Sequence, residues 1–271
     1  MKTIGFVDFF LSEWHANNYP NWIKEISEEF CVKYAWAEEY VSPYDGVNTD
    51  QWCEKYGVEK CETIAELCEK SDHIIVLSPD NPEKHLEYAK EVLKYGKNTY
   101  IDKTFAPNAE DAQKIFKLAE EYGTKFFSTS ALRYADELEK VEGTKNLITT
   151  GGGGSLETYA IHQIEMAVAT IKAEPMAVKA ELQGAQKIWT VAFSDGSRWT
   201  GIYSPYLPFS LCGDNGYTTV TSSFFIKMIA NILNFFKTGN ASFDTMETMK
   251  AMKIRDGILN ACNMPGDWLN V

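Results

Sequence analysis

One complete strand–helix–strand repeat lies in Asn98–Ser128, which reads NTYIDKTFAPNAEDAQKIFKLAEEYGTKFFS. A short apolar run over Asn98–Asp102 predicts a buried strand, and Asn108 stands where an asparagine caps the start of a helix. Apolar residues then recur at helical spacing until Gly123, and a second apolar run covers Lys125–Ser128. A helix between two buried strands is the unit from which parallel sheets are built.

The same alternation extends toward the N-terminus. Apolar runs over Thr3–Phe10, Cys31–Ala37 and Asp72–Ser78 predict three further buried strands, with amphipathic segments between them. Pro20 suits the first turn of a helix, so we expect the first helix to begin late, near that residue. Strands alternating with helices predict an α/β fold, a Rossmann-like doubly wound parallel sheet.

The C-terminal half has a different pattern. Strand-like alternation covers Ala177–Tyr203 without intervening helices, and Ser194–Ser197 (SDGS) predicts a hairpin turn. A strongly apolar helix is expected at Phe224–Phe236 and a last helix after it. We therefore predict an α+β domain with a mostly antiparallel sheet, and place the domains at 1–134 and 135–271.

Composition narrows the class of protein. The 271 residues carry a formal charge of −12, which argues against nucleic acid and anionic membranes as partners. The beginning of the chain predicts a buried strand rather than a signal peptide, and no apolar run is long enough to span a bilayer. Six scattered cysteines without a CxxC pair predict free thiols in the cytoplasm and no metal site.

Three polar residues have the chemistry for proton transfer. His162 and Glu165 lie three residues apart after a glycine run, so they share one face of a predicted helix. Lys103 follows a predicted parallel strand, at the edge of the sheet where ligands bind in such folds. An imidazole, a carboxylate and a lysine together can move a proton to or from a substrate hydroxyl.

The order of these motifs resembles the glucose–fructose oxidoreductase/inositol dehydrogenase (Gfo/Idh/MocA) family over nearly the whole chain. Pro79–His85 resembles the family's Pro-Asn-x-x-His loop with one residue added, and Tyr100–Thr104 its Glu-Lys-Pro segment. Leu132–Tyr134 resembles its basic-aromatic motif, and Gly152–Glu165 its glycine and histidine signature.

This resemblance implies an NAD(P)-dependent oxidoreductase acting on a sugar-like or polyol hydroxyl. Residues 1–134 would hold NAD or NADP, and residues 135–271 would bind the small-molecule substrate and form a homo-oligomer, a dimer or tetramer.

The resemblance also implies that Lys103 and His162 handle the hydroxyl proton and that Glu165 orients the imidazole. It places Asp8, Phe10, Glu38, Ser78, Pro79 and His85 at the cofactor, and Arg133, Tyr134 and Thr158 at the substrate. Two alternatives stay open: Arg133 as a link between the domains and His85 as a helix cap.

The turn after the first strand departs from the family pattern. The family's three glycines let bare backbone approach a pyrophosphate, and here Asp8, Phe10 and Glu13 stand in their places. A second hypothesis follows: a non-redox descendant of the fold (a pseudoenzyme, small-ligand binder or lyase/isomerase) that has lost dinucleotide binding. In that hypothesis Trp14 and Tyr19 fill the vacated crevice.

Overall fold

The computed structural model describes residues 1–271, which form two compact units. The N-terminal unit comprises Met1–Ser128 and Met228–Thr245, and the C-terminal unit comprises Thr129–Lys227 and Met246–Val271. The domain boundary that the sequence suggests after Tyr134 stays a prediction.

The N-terminal unit contains a sheet of six parallel strands. The strands are β1 (Lys2–Asp8), β2 (Phe30–Ala37), β3 (Glu59–Lys60), β4 (His73–Val76), β5 (Thr99–Ile101) and β6 (Phe126–Phe127). Their order across the sheet is β3-β2-β1-β4-β5-β6, the order of a dinucleotide-binding Rossmann fold. The predicted doubly wound parallel sheet is therefore confirmed.

Five helices connect these strands, and local capping residues set several of their ends. The helices are α1 (Trp14–Ile26), α2 (Thr49–Tyr56), α3 (Ile64–Lys70), α4 (His85–Val92) and α5 (Ala109–Tyr122). The side chain of Asn108 accepts a hydrogen bond of 2.8 Å from the N–H of Asp111, as predicted for the start of α5. Gly123 closes that helix in the left-handed conformation, with φ of 63°.

The first helix begins earlier than the sequence suggests. Pro20 lies inside α1, which starts at Trp14, so the prediction of a late start near Pro20 is wrong. The side chain of Glu13 caps the first turn, and the buried residues Tyr19 and Ile23 anchor the helix on both sides of the proline. Capping and burial together outweigh the one backbone hydrogen bond that a proline cannot make.

The C-terminal unit contains a sheet of seven strands. They are β7 (Asn146–Gly151), β8 (Pro175–Gln183), β9 (Gln186–Phe193), β10 (Arg198–Tyr203), β11 (Ser210–Gly213), β12 (Gly216–Thr219) and β13 (Leu269–Asn270). Their order is β12-β11-β7-β10-β9-β8-β13, and only the β7–β10 pair is parallel. The predicted, mostly antiparallel sheet is confirmed.

Two helices of this unit, α6 (Leu156–Thr170) and α8 (Met246–Asn263), pack against each other and against the sheet. A further helix, α7 (Phe224–Thr238), contributes most of its residues to the N-terminal unit.

A buried polar chain fixes α6 on this sheet. The indole N–H of Trp199 donates to the hydroxyl of Thr149 at 2.9 Å, and that hydroxyl donates to the side chain of Gln163 at 2.6 Å. All three side chains are fully buried, so each bond replaces hydration that the groups have lost. Gln163 is the neighbour of His162, and the position of that histidine is therefore set by the sheet core.

None of the helices has the length and apolar character that crossing a lipid bilayer requires.

Candidate functional site

Asp8 joins the end of β1 to the loop after β4. Its Oδ1 accepts hydrogen bonds from the N–H groups of Phe9 at 2.7 Å and Ser78 at 2.9 Å. Ser78 adopts a left-handed backbone, with φ of 62°. Burial, reinforced by the nearby carboxylates of Glu13 and Asp102, raises the pKa of Asp8 well above its ordinary value. Asp8 and Ser78, both predicted at the cofactor, thus bind each other.

Glu13 occupies the N-terminus of α1 with its carboxylate. Its Oε2 accepts from the N–H of His15 at 2.7 Å and lies 3.0 Å from Nδ1 of the same residue, while Oε1 accepts from the N–H of Ala16. The residue is only 3% exposed. The backbone donors with which a helix N-terminus binds anions are therefore already used by this side chain.

The other side of His15 faces a second carboxylate. Its Nε2 lies 3.7 Å from Oδ2 of Asp102, and Oδ1 of Asp102 accepts from the hydroxyls of Tyr100 at 3.1 Å and Tyr19 at 3.4 Å. We call Asp8, Glu13, His15 and Asp102 the acidic cluster. No group of three or more histidine, cysteine, aspartate or glutamate residues in the structure could hold a metal ion.

Glu38 and Phe10 are engaged by neighbouring side chains. The Glu38 carboxylate is hydrogen-bonded by the ammonium of Lys84 and accepts from the hydroxyl of Tyr88 at 2.7 Å. Burial opposes ionisation, but these two bonds hold the pKa of Glu38 below its ordinary value. Phe10 is buried and packs edge-to-face on Tyr44, with ring centroids 5.2 Å apart.

Lys103 and His85 are arranged around the loop after β5. The ammonium of Lys103 donates to the carbonyl of Pro79 at 3.3 Å, and the peptide bond that follows Lys103 is cis. His85 is completely buried, and its Nδ1 and Nε2 lie 3.1 Å and 2.5 Å from the carbonyl oxygens of Phe105 and Leu77. Burial lowers the pKa of this imidazole. His85 thus braces the loop that carries Lys103 against the end of β4.

The sheet order fits a dinucleotide, but the segment between β1 and α1 does not fit its pyrophosphate in this conformation. A Rossmann fold holds the pyrophosphate against bare backbone at the N-terminus of the first helix. Here the carboxylate of Glu13 already binds those N–H groups, and the buried side chains of Asp8 and Phe10 stand where glycines would leave space.

In the C-terminal unit, His162 contacts a serine that is not among the predicted site residues. Nδ1 of His162 lies 2.7 Å from Oγ of Ser130, which is fully buried. Ser130 also caps a short 3-10 turn, because its Oγ accepts from the N–H of Leu132 at 3.3 Å. That local capping pattern before Ala131 was the available sequence signal, but it carried no hint of the histidine.

Glu165 binds an arginine. Its Oε2 accepts from Nε of Arg133 at 2.5 Å, and Nη1 of Arg133 donates to Glu247 at 2.5 Å. Burial raises the pKa of Glu165 despite the opposing charge of Arg133. The Glu165 carboxylate, which we predicted to orient the imidazole of His162, therefore binds Arg133. The side chain that contacts the imidazole is that of Ser130. All of these residues belong to the C-terminal unit.

The start of α6 is tightly packed. A Cβ on Gly152 would lie 2.2 Å from the carbonyl oxygen of Ser204, so only glycine allows this approach. Thr158, predicted at the substrate, has its Oγ1 3.0 Å from Oγ of Ser155, the N-cap of the helix. Tyr134, the other uncharged residue predicted there, is half-buried.

Comparison with protein families gives one match. Residues 41–130 match the model GFO_IDH_MocA, described as "Oxidoreductase family, NAD-binding Rossmann fold". Comparison with curated proteins gives no match.

Solved structures share the fold across both units. The chain is 13% identical to myo-inositol 2-dehydrogenase from Lactobacillus plantarum, with a TM-score of 0.80 over 100% of this chain and 99% of that one. It is 13% identical to aldose-aldose oxidoreductase from Caulobacter crescentus complexed with glycerol, with a TM-score of 0.77 over 100% and 99%. It is 15% identical to biliverdin reductase from Synechocystis sp. PCC 6803 in complex with biliverdin and NADP+, with a TM-score of 0.74 over 96% and 99%. At these identities the likeness concerns the fold.

Proposed function

Because the chain is a member of the Gfo/Idh/MocA oxidoreductase family, matched in its NAD-binding Rossmann fold, we propose that it is an NAD(P)-dependent oxidoreductase that acts on a hydroxyl group of a sugar-like or polyol substrate. The observation that carries the proposal is the position of Lys103, two residues after the end of β5, in a parallel sheet of dinucleotide-binding order. Ligands of open parallel sheets bind outside the carboxyl ends of the strands. The similar inositol and aldose enzymes support the substrate class.

In this proposal the chain's own residues handle the proton of the substrate hydroxyl. A nicotinamide supplies hydride exchange, and the protein supplies orientation and proton transfer. Nδ1 of His162 lies 2.7 Å from Oγ of Ser130, and we propose that the serine donates to it, so that a neutral His162 carries its proton on Nε2 and donates to the substrate oxygen. A neutral Lys103 amine would then accept the hydroxyl proton during oxidation.

The remaining site residues have proposed roles of two kinds. Tyr134 and Thr158 are proposed to contact the substrate, because both are partly accessible. Arg133 is proposed to be a positioning residue. Its guanidinium binds both Glu165 and Glu247, and Arg133 lies three residues after Ser130 in the chain. These ion pairs would hold the segment in which Ser130 contacts His162.

We also propose that the protein is a cytoplasmic homo-oligomer. The six cysteines are free, as suits a reducing compartment. On the seven-stranded sheet, Ile188 pairs with Ile202, and Ile148 is 42% exposed. Apolar residues on an accessible sheet face support association between copies. Light scattering of wild type and Ile148→Glu tests this: a dimer or tetramer that the variant weakens supports the proposal, and a monomeric wild type contradicts it.

One observation favours a second candidate function. Glu13 binds the backbone donors that a pyrophosphate would need, so the fold supports a non-redox descendant that binds a small ligand without a dinucleotide. The two candidates differ in whether hydride leaves the substrate.

The test is a dehydrogenase assay with a panel of inositols, aldoses and their polyols, each with NAD+ or NADP+. Reduced nicotinamide formed by wild type, and lost in both Lys103→Met and His162→Gln, supports the oxidoreductase. Turnover that both variants retain would remove these residues from the reaction. The matched control is Lys125→Met, an exposed lysine before β6.

A further inference from the structure

A carboxylate of the chain itself lies where the phosphates of a dinucleotide bind in a Rossmann fold. We propose that Glu13 is an internal competitor of the pyrophosphate, so that a dinucleotide binds only after the Glu13 carboxylate has left the N-terminus of α1. This inference rests on the proposed function, because it concerns the cofactor site of the same enzyme.

Competition follows from the hydrogen bonds. Both carboxylate oxygens of Glu13 are in use: one accepts from the N–H of Ala16, and the other from the N–H and the ring of His15. These two N–H groups belong to the first turn of α1 and have no partner within the helix. A phosphate oxygen in their place needs the same donors, so the two occupants exclude each other.

Charge in the surroundings strengthens the exclusion. Asp8 at the end of β1 and Tyr19 on α1 lie near Glu13, and His15 contacts Glu13 with one ring nitrogen and faces Asp102 with the other. Among them only His15 can carry a positive charge. Oδ2 of Asp8 and Oδ2 of Asp102 are buried without a hydrogen-bond partner. A diphosphate that arrives while Glu13 is in place therefore meets carboxylates without a compensating arginine or lysine among these groups.

When the Glu13 carboxylate leaves, both the competition for the backbone donors and the charge repulsion become weaker. Its departure frees two backbone donors aligned with the positive end of the α1 dipole, and it removes one negative charge from the acidic cluster. Competition by Glu13 thus lowers the dinucleotide affinity, in addition to the obstruction by Asp8 and Phe10, and Glu13 influences affinity without touching the bound cofactor.

The experiment titrates NADH and NADPH into wild type, Glu13→Gln and Glu13→Ser, with energy transfer from tryptophan to the reduced nicotinamide as signal. Glutamine keeps the size of the side chain, and serine is a strong N-cap that keeps the helix start. Glu25→Gln is the matched control, because it removes the same charge from an exposed position near the other end of α1. Circular dichroism verifies folding of every protein.

Both Glu13 variants should bind at least about tenfold more tightly than wild type, with Glu25→Gln unchanged. Equal affinities of wild type and both Glu13 variants would overturn the inference and leave the proposed function standing. An equal gain in Glu25→Gln would also overturn it, since the effect would then come from net charge. Binding by the Glu13 variants alone supports the inference and contradicts dinucleotide use by wild type. Binding by none of the proteins overturns both.

A second measurement uses the wild type only. If saturating NADPH displaces Glu13, the backbone amide resonances of His15 and Ala16 shift in ¹H–¹⁵N spectra, because their acceptor changes. Binding without a shift at either amide would contradict the displacement.

Discussion

Ser130 and His162 are joined by a hydrogen bond of 2.7 Å between the serine Oγ and the imidazole Nδ1. The Ser130 Oγ also accepts from the N–H of Leu132 at 3.3 Å. A fully buried hydroxyl needs an acceptor for its proton, and Nδ1 of a neutral imidazole that is protonated on Nε2 provides one. We therefore predict the Nε2–H tautomer for His162.

Without the Ser130 hydroxyl, the imidazole of His162 should no longer be held in this tautomer. We expect Ser130→Ala to lower kcat by roughly 10- to 100-fold, because the imidazole loses its fixed orientation, and to cost about 1 kcal/mol of stability, because the cap of the 3-10 turn is lost. The ¹⁵N spectrum of histidine-labelled wild type should show His162 with an unprotonated Nδ1, and this signature should be lost in the variant. Ser130→Thr restores a hydroxyl and should restore part of the activity. A protonated Nδ1 in neutral wild type would contradict the assignment.

Arg133 should be important for stability through its two buried ion pairs. Arg133→Met leaves the buried carboxylate of Glu165 without its partner, and we expect the free energy of unfolding to fall by about 3–5 kcal/mol. The matched control is Lys172→Met, because Lys172 contacts the same Glu247 at 3.2 Å from a side chain that is 64% exposed. That variant should lose less than about 1 kcal/mol. Urea unfolding measures both, and equal losses would contradict a buried network.

Asp8 and Asp72 should affect stability with opposite dependence on pH. The folded-state pKa of Asp8 is raised, so its ionisation costs stability as pH rises above the ordinary value of 3.8. Asp8→Asn keeps an acceptor for Ser78 and should stabilise the protein increasingly between about pH 4 and neutral pH.

The matched variant is Asp72→Asn. Hydrogen bonds from Thr3 lower the pKa of Asp72, against a smaller effect of burial, so its charge stabilises the fold above the ordinary value of 3.8. Asp72→Asn should therefore destabilise at neutral pH, and its effect should shrink as pH falls. Urea unfolding across this range compares the two variants, and parallel curves would contradict the opposite pKa directions.

Two neighbouring glycines should differ in their tolerance of alanine. A Cβ at Gly152 meets the backbone of Ser204, whereas a Cβ at Gly154 meets only the ring of Tyr159, at 3.5 Å. We expect Gly152→Ala to cost about 1–3 kcal/mol and Gly154→Ala to be nearly neutral. Thermal unfolding checks the pair, and equal melting temperatures would show that the start of α6 is less tightly packed than the structure indicates.

Local patterns predicted most of the fold, because caps and apolar spacing act within one element. Asn108 and Gly123 set the ends of α5 without help from distant residues. Pro20 misled the interpretation of α1, since burial of Tyr19 and Ile23 depends on tertiary packing that a local pattern does not contain.

The candidate site was less accessible to sequence reasoning. Lys103 and His162 were suggested by the motifs around them, but Ser130 lies 32 residues from His162 and Glu247 lies 114 from Arg133. Such partners are set by how elements pack, so a serine and a helix glutamate gave no local signal. The capping by Glu13 was also missed, because glutamate is an uncommon N-cap and looked like a solvated loop charge.

The most direct test of the oxidoreductase proposal is a calorimetric titration of wild-type protein with NADH and NADPH. We predict saturable, one-to-one binding of at least one of them, at weaker affinity than in Glu13→Ser. The absence of binding to folded wild type up to millimolar dinucleotide would contradict an NAD(P)-dependent enzyme and favour a Rossmann-fold protein that binds another small ligand.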